Sequence, residues 1–391
     1  MSFEKDIAKF NEAYFFREFT FSETTFRKSP AEEVELADNI VWLDEPLIVY
    51  QIKERQAPND TTSDKEQKWF KRNIIGLAKR QIRDTLDYLK NHSNIQIQNH
   101  RGHTFNIAAA SSIDSVQKLV LYKAHEILPK SCRNLKHHRS QTAGFIHLIS
   151  SDDYLGIVKT LITPAEVVDY LAFRESLVTI WEKDIFELPE QALVGQYLSG
   201  ESLHKPSFEF VKYLQALKYD SQEWDMSGII RVFPDRVTTS NAPTDYYYIV
   251  REIAKLKRNE LREFKARFQL AMEKARANEF ERPYRMVIPS TDCGFIFIPL
   301  DHGFLERRVA YLQNLTYAHK YEQKLSKCIG VSFAHEDDGC YSVEWFYMQI
   351  AWQEDPEMDD RLKQFSPFRD VKAVELAQYT FDESGQSHGN D

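Results

Sequence analysis

Residues 36–53 read Leu-Ala-Asp-Asn-Ile-Val-Trp-Leu-Asp-Glu-Pro-Leu-Ile-Val-Tyr-Gln-Ile-Lys. Two apolar runs, rich in β-branched and aromatic residues, flank the polar pair Asp44-Glu45, a pattern that predicts a β-hairpin. With that pair as the loop, Asp38 lies opposite Gln51, and paired side chains leave the sheet on the same side. Lys53 shares that side because strand side chains alternate. Pro46 falls at the start of the second arm, where a missing N–H is tolerated. The hairpin therefore gathers a carboxylate, a carboxamide and an amine on one face. Read from the residues alone, this is either a functional cluster or an edge hairpin with a solvated polar face.

A helical pattern comes next. From about Glu66 to Asn91, Phe70, Ile74, Leu77, Ala78, Ile82, Leu86 and Leu89 recur at helical spacing. On a straight helix Lys68, Arg72, Lys79 and Arg83 fall within about 60° of one another, away from most of the apolar residues. No acidic residue lies between Lys68 and Arg83. This basic face is either simply solvated or a track for a phosphate backbone. Gln81 lies inside the apolar arc and points toward the sheet. Arg133, Lys136 and Arg139 form a second basic stretch, read as a loop and open to the same two readings. His137 and His138 are neighbours in the chain, a spacing that rarely serves one metal, so no zinc site is expected.

The order Asp, strand, Gln-x-Lys resembles the core motif of the PD-(D/E)XK superfamily, the restriction-endonuclease-like nucleases. The resemblance covers roughly residues 10 to 150 and implies an α-β-β-β-α-β core. It makes Asp38 the metal-binding aspartate, Gln51 the second acidic position and Lys53 the catalytic lysine. Phosphodiester hydrolysis of this kind uses a hard divalent cation, Mg²⁺ or Mn²⁺, held by oxygen ligands. Gln51 departs from the usual carboxylate and removes one negative charge, as in the branch that resembles methyl-directed restriction enzymes. The missing acid is expected from Glu18, which continues the helical spacing of Ile7, Phe10 and Tyr14 and matches the glutamate on the family's first helix. Glu35 is nearer in sequence, but a regular strand turns it to the opposite face from Asp38, so it needs a bulge. Gln81 matches the polar residue that the family's second helix aims at the metal.

The resemblance implies a metal-dependent nuclease acting on nucleic acid, with DNA favoured, in restriction or antiphage defence. A homodimer or a defence-complex partner fits such a role. The alternative is a catalytically weak or inactive nuclease-like subunit that binds nucleic acid or a partner.

Composition sets outer limits. A chain of 391 residues, 42% apolar, is long enough for two cored domains. Thr163 and Pro164 signal the start of a helix reaching about Trp181. The fold class expected is α/β: a restriction-endonuclease-like core over residues 1–182, an α+β recognition or partner-binding domain over 183–381, and a disordered acidic tail over 382–391. In the second domain a long helix is expected over 246–278, another over 304–327, and strands near 285–289, 294–300, 328–333 and 341–352. The net charge of −9 gives no general basic signature, and residues 354–391 account for most of it, with ten acidic against four basic side chains. Four cysteines without Cys-x-x-Cys spacing and no apolar stretch of membrane-spanning length suggest a reduced, cytoplasmic setting without a membrane partner.

Overall fold

Asp44, held at φ 77°, turns the chain between β2 (Glu32–Trp42) and β3 (Leu47–Glu54). A short polar side chain tolerates this left-handed backbone, and the Leu43 N–H donates to Pro46 O at 2.9 Å. In the computed structural model the two strands pair as the sequence predicts: Asn39 with Tyr50, Ile40 with Val49, Val41 with Ile48 and Trp42 with Leu47. The structure describes residues 2–29, 32–56, 61–113, 116–200, 203–239, 241–279, 281–336, 339–369 and 374–382.

Before the hairpin come α1 (Phe3–Tyr14) and β1 (Thr20–Ser29), and β1 pairs antiparallel with β2. After it, a small hairpin of β4 (Gln96–Gln98) and β5 (Thr104–Asn106) stands beside the main sheet. β6 (Val116–Lys123) and β8 (Gly144–Ser150) extend the sheet in parallel from β3, and β7 (His137–Ser140) closes it antiparallel. The six-stranded order is β1-β2-β3-β6-β8-β7. Residues 130–139, expected as a loop, form α4 (Lys130–Arg133) and β7.

Helices cover both faces of this sheet. On one, α1 and α5 (Ser151–Leu161) enclose a polar chain in which the Tyr50 and Tyr154 hydroxyls lie 3.1 Å apart and Tyr154 donates to Asn11 at 2.7 Å. On the other runs a continuous helix over 63–91: α2 (Ser63–Phe70), a π-helical segment (Lys71–Ala78) and α3 (Lys79–Asn91). Its buried residues explain the π segment. Glu66, Phe70, Ile74, Ala78 and Ile82 are all buried, a strict four-residue repeat. On a 3.6-residue helix such a row drifts off the contact face by about 40° per step. A wider turn, closed by i→i+5 hydrogen bonds, brings it back onto Val120, Tyr122, Ile146 and Leu148. The same turn rotates the remainder of the helix by about 100°, one residue's worth. Lys68 and Arg72 therefore do not share a single face with Lys79 and Arg83, contrary to the straight-helix expectation.

α6 (Pro164–Ile185) starts at Thr163, whose side chain accepts from the Glu166 N–H, and kinks at Trp181. Between α6 and α7 (Glu190–Ser199) lies a buried ionic network. Arg174 donates through Nε to Glu190 Oε1 at 2.6 Å, Tyr170 donates to the same oxygen at 2.6 Å, and Lys136 Nζ lies 3.5 Å from Oε2. Arg174 also donates to His147 Nδ1 at 3.0 Å, leaving His147 Nε2–H for Gln117 at 3.0 Å.

Packing divides the chain into a unit of residues 1–218 with 380–391 and a unit of residues 219–379. The division falls after Lys218 rather than at residue 182, because α6 and α7 pack with α5 and the bridge from Leu217 to Phe381 returns the chain end to the first unit. In the second unit the expected long helix is two, α8 (Tyr247–Ala254) and α9 (Arg258–Arg276). Lys257 between them is extended, and its N–H donates to Glu260 Oε2 at 2.8 Å, starting a new helix. Beyond them the chain forms β9 (Tyr284–Ile288), β10 (Cys293–Pro299), α10 (Arg308–Glu322), β11 (Lys327–His335) and β12 (Tyr341–Gln349). The sheet order is β12-β11-β10-β9, with β10 and β11 parallel and both outer pairs antiparallel.

Phe264 and Phe268 of α9 pack on Phe295, Phe297 and Phe333. α10 covers the other face through Leu312, Leu315 and Ala318. Gly330 allows α10 that approach, since a Cβ there would meet Thr316 Oγ1 at 2.0 Å. The protein is thus mixed α/β, with two main sheets and the small β4–β5 hairpin among the described residues. Among the described residues no helix is long and apolar enough to cross a membrane, and Cys132, Cys293 and Cys328 are buried free thiols. The tail expected to be disordered lies, from residue 383 on, outside the described residues.

The buried network sets how stability depends on acid. Burial alone would raise the Glu190 carboxyl, but Arg174 and Lys136 outweigh it and hold it at about 2, against an ordinary value of 4.5. Its contribution is complete above pH 4.5 and is lost as pH falls through about 2. Burial, then Arg174, push His147 well below its ordinary 6.5, so its contribution is complete above pH 6.5 and declines below. Stability against urea should therefore be pH-independent just above 6.5 and fall on acidification below it. Glu190→Gln, which strands Arg174 and Lys136, should cost about 3–5 kcal/mol at pH 7.

Candidate active site

The hairpin brings its three polar residues together. Asp38 Oδ2 accepts from the Ile52 N–H at 2.5 Å and from Lys53 Nζ at 2.8 Å. Lys53 Nζ also donates to Gln51 Oε1 at 3.1 Å. The Asp38 side chain is only 5% exposed and that of Lys53 15%, so this ion pair is largely removed from water. Alternation along β3 explains the geometry: Val49, Gln51 and Lys53 leave one face while Tyr50 leaves the other toward Tyr154.

A bulge adds a second carboxylate. Thr24 of β1 pairs with Ala37 and Thr25 pairs with Glu35, so Leu36 is the extra residue on β2. Backbone groups freed by the bulge find side chains. The Thr24 hydroxyl donates to Ala37 O at 2.8 Å and accepts from the Ala37 N–H at 3.2 Å, and the Thr85 hydroxyl of α3 donates to Leu36 O. The extra residue reverses the alternation, and Glu35 returns to the side of Asp38. Its carboxyl is raised above the usual carboxylate range, mainly by desolvation and then by the charge of Asp38, with Lys53 opposing. Glu35 remains open to solvent at the mouth of the cluster.

Glu18 is elsewhere. α1 ends at Tyr14, so Glu18 lies in the turn before β1 rather than on the first helix, and it is ion-paired with Arg101 at 2.9 Å. The acid that α1 does bury, Glu12, lies 2.6 Å from His100 Nε2. Gln81 is one turn before Thr85 on the sheet-facing side of α3, and its Oε1 is buried without a hydrogen-bond partner.

The basic residues separate into three groups. Lys68 and Arg72 are exposed. Lys79 and Arg83 are half-buried, Lys79 close enough to His138 to disfavour its charge and Arg83 paired with Asp84 at 2.5 Å. Of the second stretch, Lys136 is buried against Glu190 and serves the core, not a nucleic-acid surface. Arg133 is tied to Glu126 O and Leu128 O, both at 2.7 Å, and Arg139 donates to the Thr179 hydroxyl at 2.6 Å.

The donor set is all oxygen: Asp38 Oδ1, the Glu35 carboxylate and Gln51 Oε1. Among the described residues neither Asp38 Oδ1 nor the Glu35 carboxylate has a hydrogen-bond or ion-pair partner. Hard oxygen donors fit Mg²⁺ or Mn²⁺, which commonly use one or two carboxylates and complete their shell with water and phosphate. No group of three or more His, Cys, Asp or Glu able to hold a metal occurs among the described residues. A cation here would therefore rest on two carboxylates and a carboxamide. Comparison with family models, curated proteins and solved structures finds no match to this chain.

Glu35 makes the cluster's charge measurable. A carboxyl raised in the folded state favours folding fully below the unfolded value, and this is lost as pH rises through the folded value. Glu35→Gln should therefore make the protein slightly more stable at pH 7.5, by less than about 1 kcal/mol for a solvent-screened group. The difference should close toward pH 4.5 in parallel urea titrations; a loss of stability at pH 7.5 would show that Glu35 is not repelled by Asp38.

Proposed function

We propose that the N-terminal unit is a metal-dependent nuclease domain of the restriction-endonuclease-like type, acting on nucleic acid with DNA favoured. The observation that carries this reading is the convergence of Glu35, Asp38, Gln51 and Lys53 on one sheet face, two of them joined by a largely buried ion pair. Topology supports it: α1, three antiparallel strands, a long helix and then β6 parallel to β3 give the element order α-β-β-β-α-β, interrupted by the β4–β5 hairpin and a short 3-10 helix (Ile107–Ser112).

Asp38 and Glu35 supply the negative charge that a hard cation requires, and Gln51 adds a neutral oxygen. When bound, the cation would polarise the phosphate and lower the pKa of a water molecule. Lys53, fixed between Asp38 and Gln51, presents an ammonium where charge develops at phosphorus. The Ile52 N–H holds Asp38 in place. Lys68 and Arg72, near the start of the helix, are exposed and open to a phosphate backbone. A prokaryotic restriction or antiphage role, and a dimer delivering two cuts, accompany this class of nuclease and belong to the same proposal.

Incubation with plasmid DNA and structured RNA in Mg²⁺ and Mn²⁺ tests the reading. Cleavage should disappear on chelation, and Asp38→Ala and Lys53→Ala should each lower the rate at least about 100-fold while the circular dichroism spectrum is kept. Full activity in Lys53→Ala would remove the proposed mechanism. Metal binding through Asp38 without cleavage would favour a binding subunit instead.

A further inference from the structure

Sheet edges expose unpaired backbone groups, and most proteins blunt them. Three of the four edges in the two main sheets are blunted. β1 is interrupted by irregularities at Thr24/Thr25 and Arg27/Ser29 and carries Arg27 and Lys28. β7 has four residues, His-His-Arg-Ser. β9 has five, includes Arg285, and lies between Pro283 and Pro289. β12 differs: nine residues, Tyr-Ser-Val-Glu-Trp-Phe-Tyr-Met-Gln, with no proline, lysine or arginine, paired with β11 in unbroken register from Tyr341 to Gln349.

The phase of that pairing shows which groups face outward. Ile350 N–H donates to Ser326 O and Glu336 N–H donates to Cys340 O, both at 2.9 Å, so the even-numbered residues of β12 bond to β11. Odd-numbered residues turn their N–H and C=O to the free edge. The backbone groups of Val343 and Trp345 have no hydrogen bond among the described residues.

A cleft of about 710 Å³ runs along this edge, with residues 343–347 as its floor. Its flanks come from opposite faces of the sheet: Val309 and Leu312 of α10 on one, Tyr248 and Ile249 of α8 on the other. Tyr248 stacks on Tyr347 with ring centres 5.2 Å apart, and both Tyr248 and Val309 are more than two-fifths exposed. A floor of alternating backbone donors and acceptors is completed by another backbone, and five residues of floor span about 17 Å of extended chain.

Charge narrows the ligand further. Of the charged residues lining the cleft, Glu344 is paired with Arg308 at 3.1 Å and Asp245 accepts from two backbone N–H groups at 2.9 Å. Arg236 has no ion pair among the described residues. Two copies meeting edge to edge would bring these same raised flanks against each other, so the cleft suits a bare strand better than a second domain.

We infer that the free edge of β12 accepts an extended peptide segment of another protein chain as a fifth strand, apolar at alternate positions and bearing a carboxylate that meets Arg236. The inference stands independently of the nuclease reading. Fluorescence anisotropy with the full chain and two labelled octapeptides, each alternating valine and threonine and ending in either aspartate or lysine, tests it. The aspartate peptide should bind at least about tenfold tighter than the lysine peptide, and Arg236→Glu should reverse that order. Val343→Pro removes an outward N–H without touching the ladder to β11, and should weaken both peptides at least about tenfold with the fold retained. Should that variant fail to fold, Tyr248→Lys, which places a charged chain on the cleft's flank, should weaken both peptides in the same way. Absence of binding to the wild type, or equal binding by these variants, would overturn the inference. So would a wild-type dimer in ultracentrifugation that Val343→Pro dissociates, since the occupant would then be a second copy.

Discussion

The pair formed by Asp38 and Lys53 is the interaction on which the chemistry proposed for the first unit depends. A carboxylate with 5% exposure is costly to bury, and it persists because the Ile52 N–H and the Lys53 ammonium both reach one of its oxygens. The other oxygen is left without a partner among the described residues. Beside it Glu35 is pressed toward Asp38 by a bulge, and like charges held together are a cost that a stable hairpin has no need to bear. Unfavourable local electrostatics maintained by well-satisfied surroundings is characteristic of sites selected for something other than stability.

Those surroundings can be named. Thr24 and Thr85 fill the backbone groups that the bulge frees, so the distortion is supported from the neighbouring strand and from the helix above. The π segment serves the same end on a larger scale. It keeps a four-residue repeat of buried side chains against the sheet and so fixes where α3, and with it Thr85 and Gln81, meets β2. Sheet, bulge and helix are one mechanical unit around the cluster.

Much of this is legible in the sequence, and most of the exceptions share a cause. The hairpin register comes from a two-residue turn and strict alternation, both local, and the observed pairs agree with it. The start of α6 at Thr163 and Pro164 is likewise a local signal. Glu35 escapes assignment, because the bulge that reorients it depends on Thr24 across the sheet and Thr85 on a distant helix. Glu18 is misplaced because helical spacing continues past Tyr14 although the chain leaves the helix there. The common basic face fails because angular arithmetic assumes 3.6 residues per turn through a segment that is wider. Lys136 has the sequence context of a basic surface, yet Glu190, far along the chain, neutralises it in the core. Glu18 apart, each miss is a long-range contact overriding a short-range pattern.

Binding of Mn²⁺ to the wild type, Glu35→Gln, Asp38→Asn and the double variant, measured by electron paramagnetic resonance, tests the central claim most directly. If the two carboxylates share one cation, each single change should remove most of the affinity and the double variant should lose little more than either alone. Equal Mn²⁺ affinity in the wild type and the double variant would contradict it, and would leave the cluster as a buried ion pair with a neighbouring surface acid.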